Sequence, residues 1–359
     1  LKSFKITVVI LAVLSLLAGH FSPYHLKDLM IIEGIGIDSG SDGYAVSAQL
    51  LNSNFLTDEL PKENSTFTLY ENAESVSLAI SNMQKSVSKK IYFGQSKLLV
   101  LSEECAEKGF GNKIPFTVQS LNLRSDIALC IFDGESKKLL ESGENGARVP
   151  CESLLTLLLN GEKAGQCVFT RAYEITENST GDIALTVLEY NDSADIASIK
   201  GIGVFSDGRL VKTLSGESTQ GFLILSGKLN ELEIELYDKK LGKVNVSVQD
   251  IKTKRSAKTQ DGRIKLHCDI FCDLTVKSAE RKPPSALDKS DNERIKSALD
   301  RKLSHLCESA FYDCTRVGSD SLRILDTLCL SSKSDYEKCR SDRQKYLKSS
   351  LLSLNIIIP

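Results

Sequence analysis

The chain of 359 residues contains no tryptophan and only two methionines, and aromatic residues make up 6% of it. That shortage excludes an extended stacking platform for single-stranded nucleic acid and a methionine-rich adaptable groove. A long basic run is also missing. With 45 basic residues against 47 acidic ones and a net charge of −2, nothing in the chain is built to neutralise a phosphate backbone, so nucleic acid is not an expected partner. No C-x-x-C pair occurs among the ten cysteines, which removes the usual sign of a zinc or thiol-redox site.

What is present is length and patterning. A chain this long exceeds one small core, and two or three domains are expected. One pattern occurs twice: Glu33-Gly34-Ile35-Gly36-Ile37-Asp38 leads to Asp42-Gly43, and Lys200-Gly201-Ile202-Gly203-Val204-Phe205 leads to Asp207-Gly208. Each copy is followed by an apolar-alternating run, at residues 44–51 and 210–214, as in a β-hairpin, and each is expected to open a globular unit. Neither has the third glycine or the following helix of the dinucleotide fingerprint. These glycines are therefore read as places where a strand bulges or another backbone comes close.

Lys2 and Lys5 precede an uncharged, almost wholly apolar run at residues 6–19, like the n-region and h-region of an export signal. The remainder is expected outside the cytoplasm. Kept as a helix, this run would span about 21 Å at about 1.5 Å per residue, against about 30 Å of hydrocarbon. It would be a marginal anchor, with Lys2 and Lys5 snorkelling on one side and Phe21 and Tyr24 at the other interface.

Residues 30–52 read as strand, turn and strand, followed by a polar loop. Val76, Ile80, Met83 and Val87 mark one face of a helix over 72–90. A buried strand is expected over 92–101. Ser102 as N-cap, Glu103 and Glu104 in the first turn and Gly109 as stop define a short helix. Further expectations are a strand at 127–132, a loop at 143–150 and a helix at 153–159. Residues 168–190 fit both helix and strand in part, and a polar cluster at 191–193 is the expected domain boundary. In the second half, Ile264, Leu266, Cys268, Ile270, Cys272, Leu274 and Val276 occupy alternate positions of a long half-buried strand, paired with residues 243–253 across an Asp261-Gly262 turn. After Pro283-Pro284 the longest helix covers 288–317, with Ile295, Leu299, Leu306, Ala310, Cys314 and Val317 on its buried stripe and Gly318 as its stop. A last strand covers 351–358. These elements make an α+β fold of several domains, with mixed and antiparallel sheets on which helices pack.

Chemistry-bearing groupings are sparse. Gly216-Glu217-Ser218-Thr219-Gln220-Gly221 is one residue too long for a nucleophile elbow. Ser215 is read there as an N-cap with Glu217 in the first turn. The histidines do not serve Ser218: His20 and His25 lie near the apolar run, His267 on the wet face of a strand and His305 inside the long helix. His267, Cys268 and Cys272 do not converge on a metal, because strand neighbours face opposite ways. Cys307 and Cys314 share a helix face without two further ligands. The cysteines are read as small buried apolar residues. No catalytic, cofactor-binding or metal-binding residue is assigned.

Taken together, the first glycine pattern, Ile91-Tyr92-Phe93-Gly94-Gln95-Ser96-Lys97-Leu98-Leu99-Val100, and Gly203-Val204-Phe205 through Leu214-Ser215-Gly216-Glu217-Ser218-Thr219-Gln220-Gly221-Phe222 resemble the Ger(x)C family. Its members are C subunits of spore nutrient-germinant receptors. The resemblance runs from about residue 26 to the C-terminus. It implies an exported, membrane-attached, non-enzymatic protein on the outer face of the spore inner membrane, working with an A subunit and a multi-spanning, permease-like B subunit, and without a cofactor. The family's lipid-bearing cysteine corresponds to His20, whose imidazole cannot form the thioether, so no lipid attachment is expected. The organisation implied is an anchor at 1–22 and α+β domains at 23–193 and 194–359, the latter divisible near 240/241. A solute-binding, lipoprotein-like component of a transporter is the alternative; it would need a concave pocket with convergent polar groups.

Overall fold

The computed structural model describes residues 28–51, 66–142, 149–176, 182–191, 193 and 196–359. The run at 6–19, His20, His25, the first part of the polar loop after residue 51 and most of the loop expected at 143–150 lie outside these residues.

The first glycine pattern forms the expected hairpin: β1 (Leu29–Gly40) pairs antiparallel with β2 (Gly43–Leu51), Gly40 opposite Gly43. β3 (Thr66–Ala73) adds to its edge where a polar loop and a helix start were expected, Leu69 lying opposite Ala48. Helix α1 (Val76–Lys85) is therefore shorter than the stripe suggested. Its N-cap is Ser75, whose Oγ accepts from the Leu78 N–H at 3.2 Å.

The single strand expected over 92–101 is two strands. β4 (Lys90–Tyr92) runs parallel beside the start of β1, and β5 (Leu98–Ser102) runs parallel beside its middle. The turn between them lies opposite a bulge in β1, where the register slips between Ile32 and Gly34, and the Lys97 N–H donates to Glu33 O at 2.8 Å. Helix α2 (Glu103–Glu107) has the cap and acidic first turn read from the sequence, and Gly109 ends it in the left-handed region at φ 96°. A 3-10 turn (Phe110–Lys113) and α3 (Ile114–Ser120) lead to β6 (Ala128–Phe132).

Helices α4 (Ser136–Ser142) and α5 (Pro150–Lys163) follow; α5 is twice as long as expected because Pro150 serves as a first-turn residue. β7 (Thr170–Arg171), α6 (Ala172–Thr176) and β8 (Ala184–Asn191) resolve the ambiguous segment into both of its readings. The second glycine pattern forms the hairpin of β9 (Ile196–Ser206) and β10 (Arg209–Leu214).

That hairpin closes the first sheet where it was expected to open a second unit. β9 pairs antiparallel with β8 from Ala184 opposite Val204 to Asn191 opposite Ile196, so the hydrogen-bond ladder spans the polar cluster at 191–193. The result is a ten-stranded mixed sheet in the order β10-β9-β8-β6-β5-β1-β2-β3, with β4 and β7 beside it. Central strands β5 and β6 are buried on both faces, as parallel strands under helices must be. On one face Met83, Cys105, Phe110 and Ile114 pack against Ile35, Ile37, Leu99 and Leu101. On the other, Leu139, Leu140, Cys151 and Leu154 pack against Leu98, Val100, Cys130 and Phe132.

The second sheet begins after α7 (Glu217–Ser226). β11 (Leu232–Asp238), β12 (Gly242–Gln260) and β13 (Arg263–Ala279) form an antiparallel meander, with the expected turn at Asp261-Gly262. Helix α8 (Lys289–Arg316) opens with a capping box between Asp288 and Asp291 and stops at Gly318, φ 73°. Three short helices, α9 (Ile324–Ser331), α10 (Lys333–Ser341) and α11 (Arg343–Lys348), carry the chain back to β14 (Leu351–Ile357), which pairs parallel with β13 because it returns by this crossover. Ile295, Leu299, Leu306, Ala310 and Cys314 of the expected stripe join the second core, together with Phe222, Leu223 and Ile224 of α7.

Candidate functional site at the junction of the two sheets

The first glycine pattern is occupied by structure at nearly every position. A Cβ on Gly34 would overlap the Cys151 sulfur of α5, and one on Gly36 would overlap the Ser136 hydroxyl of α4. The bare strand thus lets both helices approach. Asp38 accepts from the Ser136 N–H at 2.9 Å and from its hydroxyl at 2.7 Å. Burial raises its carboxyl pKa against these bonds. In the second pattern a Cβ on Gly201 would meet the Leu214 carbonyl of the neighbouring strand.

Ser218 lies on α7, with its hydroxyl engaged by α8. Its hydroxyl bonds to Asp313 Oδ2 at 2.7 Å and to Ser309 Oγ at 2.8 Å, and Asp313 is held in turn by Lys212 at 2.6 Å. His305 reaches Glu217, at 3.5 Å, and not Ser218. Ser215 is not the cap; Gly216 is, without a side-chain bond, and Thr219 Oγ1 donates back to Leu214 O at 3.1 Å. His267 bonds to Ser353 of β14 at 3.2 Å.

All ten cysteines are free, and nine are buried; Cys329 is exposed. Burial pushes Cys105 up to about 12 and Cys167, Cys268 and Cys272 up to about 11, so these thiols stay protonated and unreactive. Among the described residues no group of three His, Cys, Asp or Glu side chains could hold a metal ion. No helix among them is long and apolar enough to cross a membrane.

The concentration of buried polar groups is elsewhere, where the loop after α8 meets the rim of the first sheet. Asp182, before β8, accepts from the Asp320 N–H at 2.8 Å, the Asp207 N–H at 3.0 Å and the Arg343 guanidinium at 3.1 Å. Arg343 also pairs with Asp207. Asp320 has no exposed surface and accepts from the Ile324 N–H at 2.7 Å, capping α9. Burial raises both carboxyls, Asp320 to about 7, opposed by the amides at α9 and reinforced by Asp182. Ser319 donates to Phe205 O at 2.6 Å, Ser321 to Ile183 O at 2.7 Å and Ser206 to Gly318 O at 3.0 Å. These bonds fasten one sheet to the other.

Beside them lies a cleft of about 180 Å³. Val168, Ala184, Phe222 and Leu322 form its apolar wall, and Thr170, Ser226, Arg255 and Ser321 contribute polar groups. Sequence reading missed this junction because Asp182 and Arg343 are 161 positions apart. Arg255 did leave a trace: it interrupts an inward-facing row of β12 with a charge.

Two family models match the chain in succession: "Spore germination protein N-terminal domain" over residues 23–190 and "Spore germination B3/ GerAC like, C-terminal" over residues 200–344. Their division falls in the β8–β9 connection and the start of β9, inside the first sheet. Among solved structures, the "Crystal Structure of the GerBC protein" has a similar fold, with a TM-score of 0.60 and 15% sequence identity, covering 90% of this chain and 96% of that one. Comparison with curated proteins gives no match. The two domain models cover most of the chain in consistent order, and the chain belongs to the GerAC-like family of spore germination proteins.

Proposed function

We propose that this chain is the C subunit of a nutrient-germinant receptor. It is exported and attached to the outer face of the spore inner membrane, and it acts by association with an A subunit and a multi-spanning, permease-like B subunit. The observation that carries this reading is the successive match of the two germination-protein models over residues 23–190 and 200–344. Support comes from Ser218, whose hydroxyl is committed to Asp313 and Ser309. Further support comes from large apolar side chains left outside, Phe116 and Tyr237 at 70% exposure and Leu330 at 91%, which suit a protein that docks against others.

Deleting the gene tests the reading. Spores should lose their response to one set of nutrients while a nutrient-independent route still germinates them. Unchanged nutrient response, or loss of both routes, contradicts it.

A further inference from the structure

Among the described residues one cation at the junction, Arg255, makes no direct ion pair. Arg255 stands on β12 between Thr253 and Ala257, and these three lie opposite Ile270, Cys268 and Leu266 of β13, all fully buried. A guanidinium therefore takes an inward-facing place in an apolar row. Its contacts are neutral oxygens: Nη2 donates to Arg323 O at 2.9 Å and Thr327 Oγ1 at 2.5 Å, and Nη1 donates weakly to Leu225 O at 3.4 Å. Among the described residues no carboxylate pairs with it, and Nε–H has no acceptor. Burial lowers its pKa against the through-space pull of Asp320 and Asp326, and a half-buried guanidinium without a carboxylate in contact leaves its charge incompletely compensated.

The other charges along the cleft are matched. Lys228 lies 3.6 Å from Glu174, Arg323 lies 2.7 Å from Asp326, and Asp182 is held by Arg343. Arg255 is thus the cleft cation with no carboxylate in direct contact, Asp320 and Asp326 acting on it only through space. The hydroxyls of Thr170, Ser226 and Ser321 each donate their proton to a backbone carbonyl, Ala184 O, Leu223 O and Ile183 O. Toward a ligand they can only accept. A volume of about 180 Å³ lies below the range of about 300–1,000 Å³ typical of ligand pockets, which limits an occupant to a small molecule.

The geometry points to a binding site for a small monoanionic hydroxycarboxylate, its carboxylate on the Arg255 guanidinium and its hydroxyl donating to Thr170, Ser226 or Ser321. The apolar wall of Phe222 and Leu322 takes its carbon skeleton. This site is independent of how the chain associates with partners.

The test is calorimetric titration of the full-length chain in detergent with L-lactate and with its neutral counterpart L-lactamide, with hydrogen-exchange mass spectrometry to locate the site. Lactate should saturate with a dissociation constant on the order of 1 mM, and lactamide should bind at least about tenfold more weakly, since only the carboxylate makes a charge-assisted bond. Exchange should slow in the peptides holding Ser226, Arg255 and Ser321. Arg255→Gln should weaken lactate at least about tenfold, and Arg255→Lys, which keeps the charge, should lose less. Equal binding of lactate and lactamide, undiminished binding by Arg255→Gln, or no saturation by about 50 mM lactate overturns the assignment. Should Arg255→Gln fail to fold, the two ligands and the exchange pattern in the unmodified chain decide the matter.

Discussion

The backbone N–H of Asp320 donates to Oδ2 of Asp182 at 2.8 Å, and both carboxylates are buried without exposed surface. One belongs to the rim of the first sheet, and the other caps α9 above the second, so the fastening of the two sheets contains two acids side by side. Groups facing them are Arg343 and Asp207 around Asp182, and Asp326, Arg323 and Arg255 around Asp320.

Burial holds Asp320 up to about 7, well above the value near 3.9 of an unfolded chain, so the folded protein binds this proton more tightly. The stability it supplies is complete below about pH 4 and is lost as pH rises toward 7. Asp320→Asn keeps a capping oxygen and removes the titration. In urea denaturation between pH 5 and pH 8, the unmodified protein should lose on the order of 2 kcal/mol more than this variant. Asp291, which Lys240 and Lys282 hold well below the ordinary carboxylate range, works the other way, losing its contribution as pH falls below about 4. It is common to both proteins and cancels. Parallel pH profiles for the two would contradict the burial argument.

Gly36 is where α4 rests on β1. Gly36→Ala should cost about 1–3 kcal/mol, because the new methyl group meets the Ser136 side chain and can be housed only by moving the helix. Denaturant midpoints measure this directly. A stability unchanged within error would show that the close approach is not needed.

Nine buried thiols and one exposed one make a sharp expectation for native labelling. A thiol reagent should modify one cysteine quickly, and Cys329→Ser should abolish that reaction. In denaturant all ten should react. Rapid labelling of two or more in the native protein would mean that one of the cores is open.

Ser218→Ala removes one bond to a carboxylate and one to Ser309 while leaving Asp313 its partner Lys212. It should lower stability by about 1–2 kcal/mol and leave the spore's nutrient response intact. A folded variant without nutrient response would assign Ser218 a function beyond packing.

Regular patterning was legible where one face is wet. The alternation in β13 and the stripe of α8, with Asp288 and Gly318 at its ends, identify those elements from the residues alone. β3 was not legible, because an edge strand partly exposed on both faces shows little alternation, and its place is set by the free edge of β2. The short helices α9 to α11 lack the length for a periodic signal. The glycine pattern indicated a hairpin both times, yet not that the second copy joins the sheet of the first, since the pairing of β9 with β8 depends on strand neighbours. The junction was invisible for a different reason: Asp182, Asp207, Asp320 and Arg343 are ordinary surface residues in any local window.

We propose that this chain works by holding membrane partners. The most direct measurement is affinity purification of the tagged full-length chain from detergent-solubilised spore membranes, with the co-purifying proteins identified by mass spectrometry. A stoichiometric multi-spanning, permease-like protein should co-purify together with a second receptor subunit, both absent from the untagged control. Recovery of the chain alone, or with soluble enzymes only, would contradict it.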